Sequence, residues 1–146
     1  MGIKERWRGF LPLPKDIEER IAQLSSVFRS NDISLAYLFG SFLNSKTRED
    51  LDLAVWMGEG DLVKVYNEIT RLLGTERLDL VDLRNASLVT RFEIIRTGKL
   101  IFKKDSEVEN RFEMAVLREY QDTEHLRKSQ WEILEKRMEM WSFRKK

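Results

Sequence analysis

Hydrophobic positions along the chain change period several times, and each change marks an element. Ile17, Ile21, Leu24 and Phe28 recur at helical spacing. Pro14 suits a first helical position, and Asp16, Glu18 and Glu19 suit the positive end of a helix dipole. One helix over 14–30 is predicted, ending near Arg29-Ser30-Asn31. Ile33 to Phe39 then reads as a buried strand, halted at Gly40-Ser41. A polar loop, Asn44 to Glu49, leads into Asp50-Leu51-Asp52-Leu53-Ala54-Val55-Trp56, which alternates acidic and apolar residues and then turns wholly apolar. Leu62, Val65, Tyr66, Ile69, Leu72 and Leu73 predict a helix stopped by Gly74. Arg77 to Leu83 reads as a strand, Leu88 to Arg96 as a short helix closed by Gly98, and Lys99 to Lys103 as a strand with lysines guarding an edge. From Asp105 to about Met140 neither Gly nor Pro occurs. Val108, Phe112, Ala115, Val116 and Tyr120 predict an apolar face on one long helix, or on two with a bend near Gln121-Asp122. This order of elements implies an α/β (α+β) core with a small mixed β-sheet, flanking helices and a helical C-terminal arm. The expected division is 1–105 for the core and 106–146 for the extension.

Composition narrows the class of protein. The chain has 146 residues, enough to hide roughly two-thirds of its unfolded surface without staples. It is 42% hydrophobic and 35% charged, which excludes wholesale disorder. No apolar run approaches the roughly 20 residues of a bilayer span, so no membrane association is expected. Met1 to Arg6 carries mixed charge with no apolar signal core, and cysteine is absent, which together set a reducing cytoplasm as the expected location. With one histidine, His125, and no cysteine, a Cys/His zinc site and a His-based triad are both disfavoured. The net charge of +1 gives no sign of direct nucleic-acid binding.

The chemistry is concentrated between residues 39 and 82. A strand that ends in Gly40-Ser41 exposes backbone N–H groups, lets a phosphate approach the main chain and adds a hydroxyl donor. Asp50 and Asp52 are two apart on a strand, so both carboxylates project from one face. Such a pair repels itself unless a hard divalent cation lies between, and Mg²⁺ with nucleotide phosphates is the usual occupant. Asp79, in the run Leu78-Asp79-Leu80-Val81-Asp82-Leu83, reaches the same place if its strand pairs beside 50–56. Taken singly, Gly-Ser also fits a plain turn, and Asp-x-Asp also fits a solvated strand edge. Taken together, three carboxylates, two metals and a phosphate cradle describe nucleotidyl transfer. In this reading Asp50, Asp52 and Asp79 are the metal ligands and the catalytic set, with Asp79 accepting or relaying the acceptor hydroxyl proton.

Gly40-Ser41-Phe42, the loop after it, Asp50-x-Asp52 and the acidic run at 78–83 resemble the minimal nucleotidyltransferase branch of the DNA polymerase β-like superfamily. The resemblance covers roughly residues 30–105. It implies a two-metal Mg²⁺ site and ATP as nucleotidyl donor, with Gly40 and Ser41 as the nucleotide-binding pair. Many members of this size look like MntA-type antitoxins. By that resemblance the expected partner is a HEPN-domain RNase toxin, neutralised when AMP is transferred from ATP to one of its tyrosines. Two other readings stand beside this one: an antitoxin that acts by contact alone, and a nucleotidyltransferase with a small-molecule acceptor.

Three further features carry weaker signals. His125 reads as a solvated helix residue, and Lys46 and Arg48 as loop cations that either screen phosphate charge or simply face water. Trp131, Leu134, Met138 and Trp141, spaced by three, four and three, form a helix stripe that needs a partner. The stripe is expected to contact another chain, either a second copy in a homodimer or the toxin.

Overall fold

The computed structural model describes residues 13–40 and 50–144. Within them lie helices α1 (Ile17–Ala22) and α2 (Ser25–Ser30), strands β1 (Ile33–Phe39) and β2 (Leu51–Met57), and helix α3 (Leu62–Leu73). Strand β3 (Leu78–Asp82), helix α4 (Leu88–Thr97), strand β4 (Lys99–Lys103), and helices α5 (Ser106–Asp122) and α6 (Glu124–Arg144) follow. The four strands form one mixed sheet in the order β3-β2-β1-β4. β1 runs antiparallel to both β2 and β4, and β2 runs parallel to β3. A parallel pair needs a crossover, and α3 supplies it.

Alternation along the strands sorts the core into two layers. Leu51, Leu53 and Val55 of β2 pack with Leu38, Phe102 and the helices α1, α2 and α3 on one face. Tyr37, Ala54, Trp56 and Val81 turn to the other face, against Ile94 and Phe92 of α4 and Phe112 and Val116 of α5. The buried Tyr37 hydroxyl donates to Glu113 Oε1 at 2.8 Å, which ties β1 to α5. Burial, reinforced by that carboxylate, pushes the Tyr37 pKa far up, so the phenol stays protonated.

Local chemistry explains the helix ends. Asp61, Ser87 and Asp105 each accept a backbone N–H of the first turn and so cap α3, α4 and α5. Gly74 ends α3 at φ +71, a conformation that costs a side chain but not glycine. Arg20 donates to the Leu73 carbonyl at 3.1 Å, placing a cation at the negative end of α3.

The structure corrects the sequence reading in places. The single helix expected over 14–30 is two, because Gln23 and Leu24 bond back to Arg20 and Ile21, three residues earlier, and tighten the chain between them. The residues of that face still reach the core: Ile17, Leu24 and Phe28 are buried. The long C-terminal segment takes the second of its two expected forms, dividing at Thr123 next to the expected bend; there the Arg127 guanidinium stacks over Tyr120 and donates to its carbonyl and to Thr123 Oγ1. Ala115, expected on the apolar face of α5, is exposed, while Phe112 and Val116 are buried. None of the described helices is long and apolar enough to cross a membrane.

Candidate active site

One end of the sheet gathers the C-terminus of β1 and the N-termini of β2, β3 and β4. β1 arrives at Phe39, whose register partner is Asp52. Asp52 in turn lies beside Asp79 of β3. Asp50 sits just before β2 and is buried, while Asp52 and Asp79 are half-buried. The main chain continues this pairing past the strands, since Leu51 N–H donates to the Arg77 carbonyl at 2.9 Å. One carboxylate oxygen from each of Asp50, Asp52 and Asp79 lies within 4.8 Å of the other two. Asp52 and Asp79 share the parity of Ala54 and Val81, so they face the α4/α5 side of the sheet.

Gly40 closes β1 at φ +79. A Cβ at this position would run into the Asp52 carboxylate. Glycine is therefore required twice, for the left-handed turn and for the space beside the acid. Gly98 supports the same turn from behind: a Cβ there would stand 3.1 Å from the Leu38 carbonyl oxygen and 3.3 Å from Phe39 Cβ. Three hard oxygen donors drawn together at the end of a glycine turn fit a hard divalent cation, because like charges at this spacing otherwise repel. The donor set thus suits a hard cation such as Mg²⁺.

The sequence-predicted residues divide cleanly. Gly40, Asp50, Asp52 and Asp79 are brought together. Ser41, Lys46, Arg48 and Glu49 lie outside the described residues. His125 is exposed on α6. The pattern of the sequence did not single out the cluster at the far end of β3. There Asp82 binds Arg84 through both carboxylate oxygens and accepts from Asn85, while Arg91 donates to the Leu83 and Arg84 carbonyls and lies over the Trp56 ring. The Arg84 hydrogen bonds hold the Asp82 carboxyl below its ordinary pKa. This cluster fixes the β3–α4 turn, and so the strand that carries Asp79.

A mixed four-stranded sheet with helices on both faces and an acidic cluster at one end is the architecture of nucleotidyltransferases. Residues 22–107 match the family model described as Polymerase beta, Nucleotidyltransferase, and this chain belongs to that family. Solved structures of similar fold bear this out. A tri-AMPylated HEPN toxin of Shewanella oneidensis in complex with MNT antitoxin matches at a TM-score of 0.63 and 25% identity, over 84% of this chain and 98% of that one. A toxin–antitoxin structure with AMP-PNP matches at 0.62 and 28% identity, over 83% and 98% of the two chains. The toxin–antitoxin MntA–HepT, at 0.62 and 24% identity over 83% and 98%, shares the fold. No curated protein matches the chain.

Proposed function

We propose that the chain is a Mg²⁺-dependent nucleotidyltransferase that acts as an antitoxin, moving AMP from ATP onto a tyrosine hydroxyl of a HEPN-type toxin. The observation that carries this reading is the convergence of Asp50, Asp52 and Asp79, one carboxylate oxygen from each within 4.8 Å of the others, beside the glycine turn that ends β1. The tri-AMPylated toxin and the AMP-PNP complex among the similar structures support the donor and the acceptor class.

Asp50, Asp52 and Asp79 would hold the metal, which supplies charge neutralisation to the triphosphate and to the departing pyrophosphate. Gly40, with Ser41 beyond it, would present N–H groups and a hydroxyl to the phosphates. The acceptor oxygen attacks the α-phosphorus, forming a new P–O bond. The bond from that phosphorus to the α–β bridging oxygen breaks, and pyrophosphate leaves. Asp79 takes or relays the hydroxyl proton, since it stands on the edge strand with its carboxylate half open to the approaching group.

The test combines the chain, the HEPN-domain protein, labelled ATP and Mg²⁺. Label should appear on the toxin with release of one pyrophosphate per AMP, and Asp50→Asn should reduce it to background. A chain that silences the toxin without label transfer acts by contact, and the catalytic reading fails. Transfer to a small molecule in place of the toxin refutes the protein acceptor.

A further inference from the structure

The site just described sits at one end of the sheet, and α6 leaves the molecule from that same end. The course of α5 fixes this. Glu109 pairs with Lys103, at the end of β4 farthest from the aspartates. Glu113 meets Tyr37 midway along β1. Tyr120 stacks on Phe92 of α4 at 3.7 Å, close to where α4 descends to Gly98 and Phe39. α5 therefore runs toward the aspartate end, and α6 begins there. From Lys128 to Ser142 every residue of α6 is exposed.

This exposed helix is not polar. Trp131 is 62% and Met138 68% exposed, and Leu134 and Trp141 continue their stripe. Leu126, Ile133 and Met140, seven apart, form a second exposed stripe. At about 100° per residue the two stripes lie roughly 120° apart around the helix. They extend over about 22 Å of axis at 1.5 Å per residue. With about 150–250 Å² in each aromatic side chain, the seven residues leave on the order of 800 Å² of side-chain surface open. That equals the share of one partner in a standard interface, about 800 Å², and exceeds the roughly 300–600 Å² patch of an ordinary monomer. Arg137 falls in the seam between the stripes, whereas Glu132, Glu135 and Glu139 cluster on the opposite arc.

That distribution selects the occupant. A second α6 packed on this surface would cover one stripe and leave the other wet, and its Glu132, Glu135 and Glu139 would lie on the arc away from the seam. The rest of the chain offers little more: outside α6, the large hydrophobics exposed among the described residues are Val63, Val89 and Met114, each on a different helix. A surface with apolar area on two sides of a basic seam fits a groove with two apolar walls and an acidic group on its floor. We infer that α6 is a docking helix that inserts into such a groove on the acceptor protein, and that its departure from the aspartate end holds the acceptor hydroxyl within reach of the site. This deepens the proposed function and rests on it for the identity of the acceptor.

The test uses full-length chain carrying Trp131→Glu with Met138→Glu, and separately Arg137→Glu, with the HEPN-domain protein as acceptor. Three readouts are taken: sedimentation of each chain alone, affinity for the acceptor, and the Mg²⁺-ATP-induced rise in Tm. Both variants should keep the wild-type Tm rise, because the substituted side chains are exposed on α6. Affinity for the acceptor should fall at least a hundredfold in the double variant and at least tenfold in Arg137→Glu, with AMP transfer falling through KM. Wild-type affinity in the variants overturns the docking role. So does a wild-type chain that sediments as a dimer and becomes monomeric in the double variant, which assigns the surface to a second copy. Absence of any wild-type complex overturns it as well. A wild-type complex that binds through α6 and yet transfers no AMP supports the docking surface and sinks the catalytic reading, so the two fail separately.

Discussion

Replacing Asp52 by Asn tests the acidic cluster through stability, independently of any acceptor. The substitution keeps size and shape and removes one charge from the middle of the triad. One carboxylate oxygen from each acid there lies at most 4.8 Å from the other two. At 4.8 Å two unit charges interact by about 1 kcal/mol in bulk water and about 3.5 kcal/mol at an effective dielectric of ~20. Asp52 is half-buried, so its true value falls between these limits, and an Asn dipole returns part of the gain. The metal-free variant should be more stable than the wild type by about 1–3 kcal/mol, a Tm rise of roughly 3–10 °C for a chain of this size. Mg²⁺ should then stabilise the variant much less than the wild type, because binding to the native state alone is what raises stability and one ligand is gone. Thermal melts in chelator and across a Mg²⁺ titration measure both effects. A variant that melts at or below the wild type in chelator, or that keeps the full Mg²⁺-induced rise, would show that the three acids do not repel one another and do not share a cation.

Three other substitutions probe what surrounds the triad. Gly40→Ala must adopt φ +79 and place a methyl against the Asp52 carboxylate, so it should lose about 1–3 kcal/mol in chemical denaturation and drop nucleotidyl transfer more than tenfold; wild-type values for both would refute the close approach. Gly98→Ala meets two backbone carbonyls, of Ile94 and Leu38, and should cost about 1–3 kcal/mol through overpacking, measured by urea unfolding, where an unchanged midpoint would show that the α4–β4 junction has slack. Asp82→Asn should flatten the acid limb of the stability curve: the lowered carboxyl pKa means that Asp82 stabilises the fold above the unfolded value near 3.9 and loses that contribution as pH falls through the folded value, so urea midpoints of the two proteins should differ most at neutral pH and converge as pH falls below that folded value.

Elements governed by local chemistry were legible in the sequence. α3 announces itself by its apolar period and by Gly74, and the structure places it over Leu62–Leu73. β1 ends where a glycine must take a positive φ. The Asp50-x-Asp52 pair could be put on one face from strand geometry alone. Asp79 was legible only on condition that β3 pairs with β2, since no local signal sets which strands become neighbours. The division of the first helix was hidden because its apolar face is continuous across Gln23 and Leu24, so the periodicity survives while the hydrogen bonds change. Tyr37–Glu113 spans 76 positions, and no spacing rule reaches that far. On α6 the spacing of Trp131, Leu134 and Met138 announced a helix stripe in need of a partner, and all three stand exposed, but no pattern within one chain says what covers them.

The parallel seam between β2 and β3 also orders the assembly of the sheet. Phe39 and Asp52 meet across a short antiparallel connection, so Gly40, Asp50 and Asp52 come together in one local event. Asp79 meets Asp52 through the α3 crossover, a closure of larger sequence separation, and adds a third negative charge to that pair. β3 is five residues long and, among the described residues, lies at a sheet edge with β2 as its one strand neighbour. Amide exchange at Leu78–Asp82 should therefore run ahead of that at the central strands β1 and β2. The fold thus carries one acid of its triad on an edge strand, so a fluctuation that opens β3 alone would break up the triad and leave the two central strands paired.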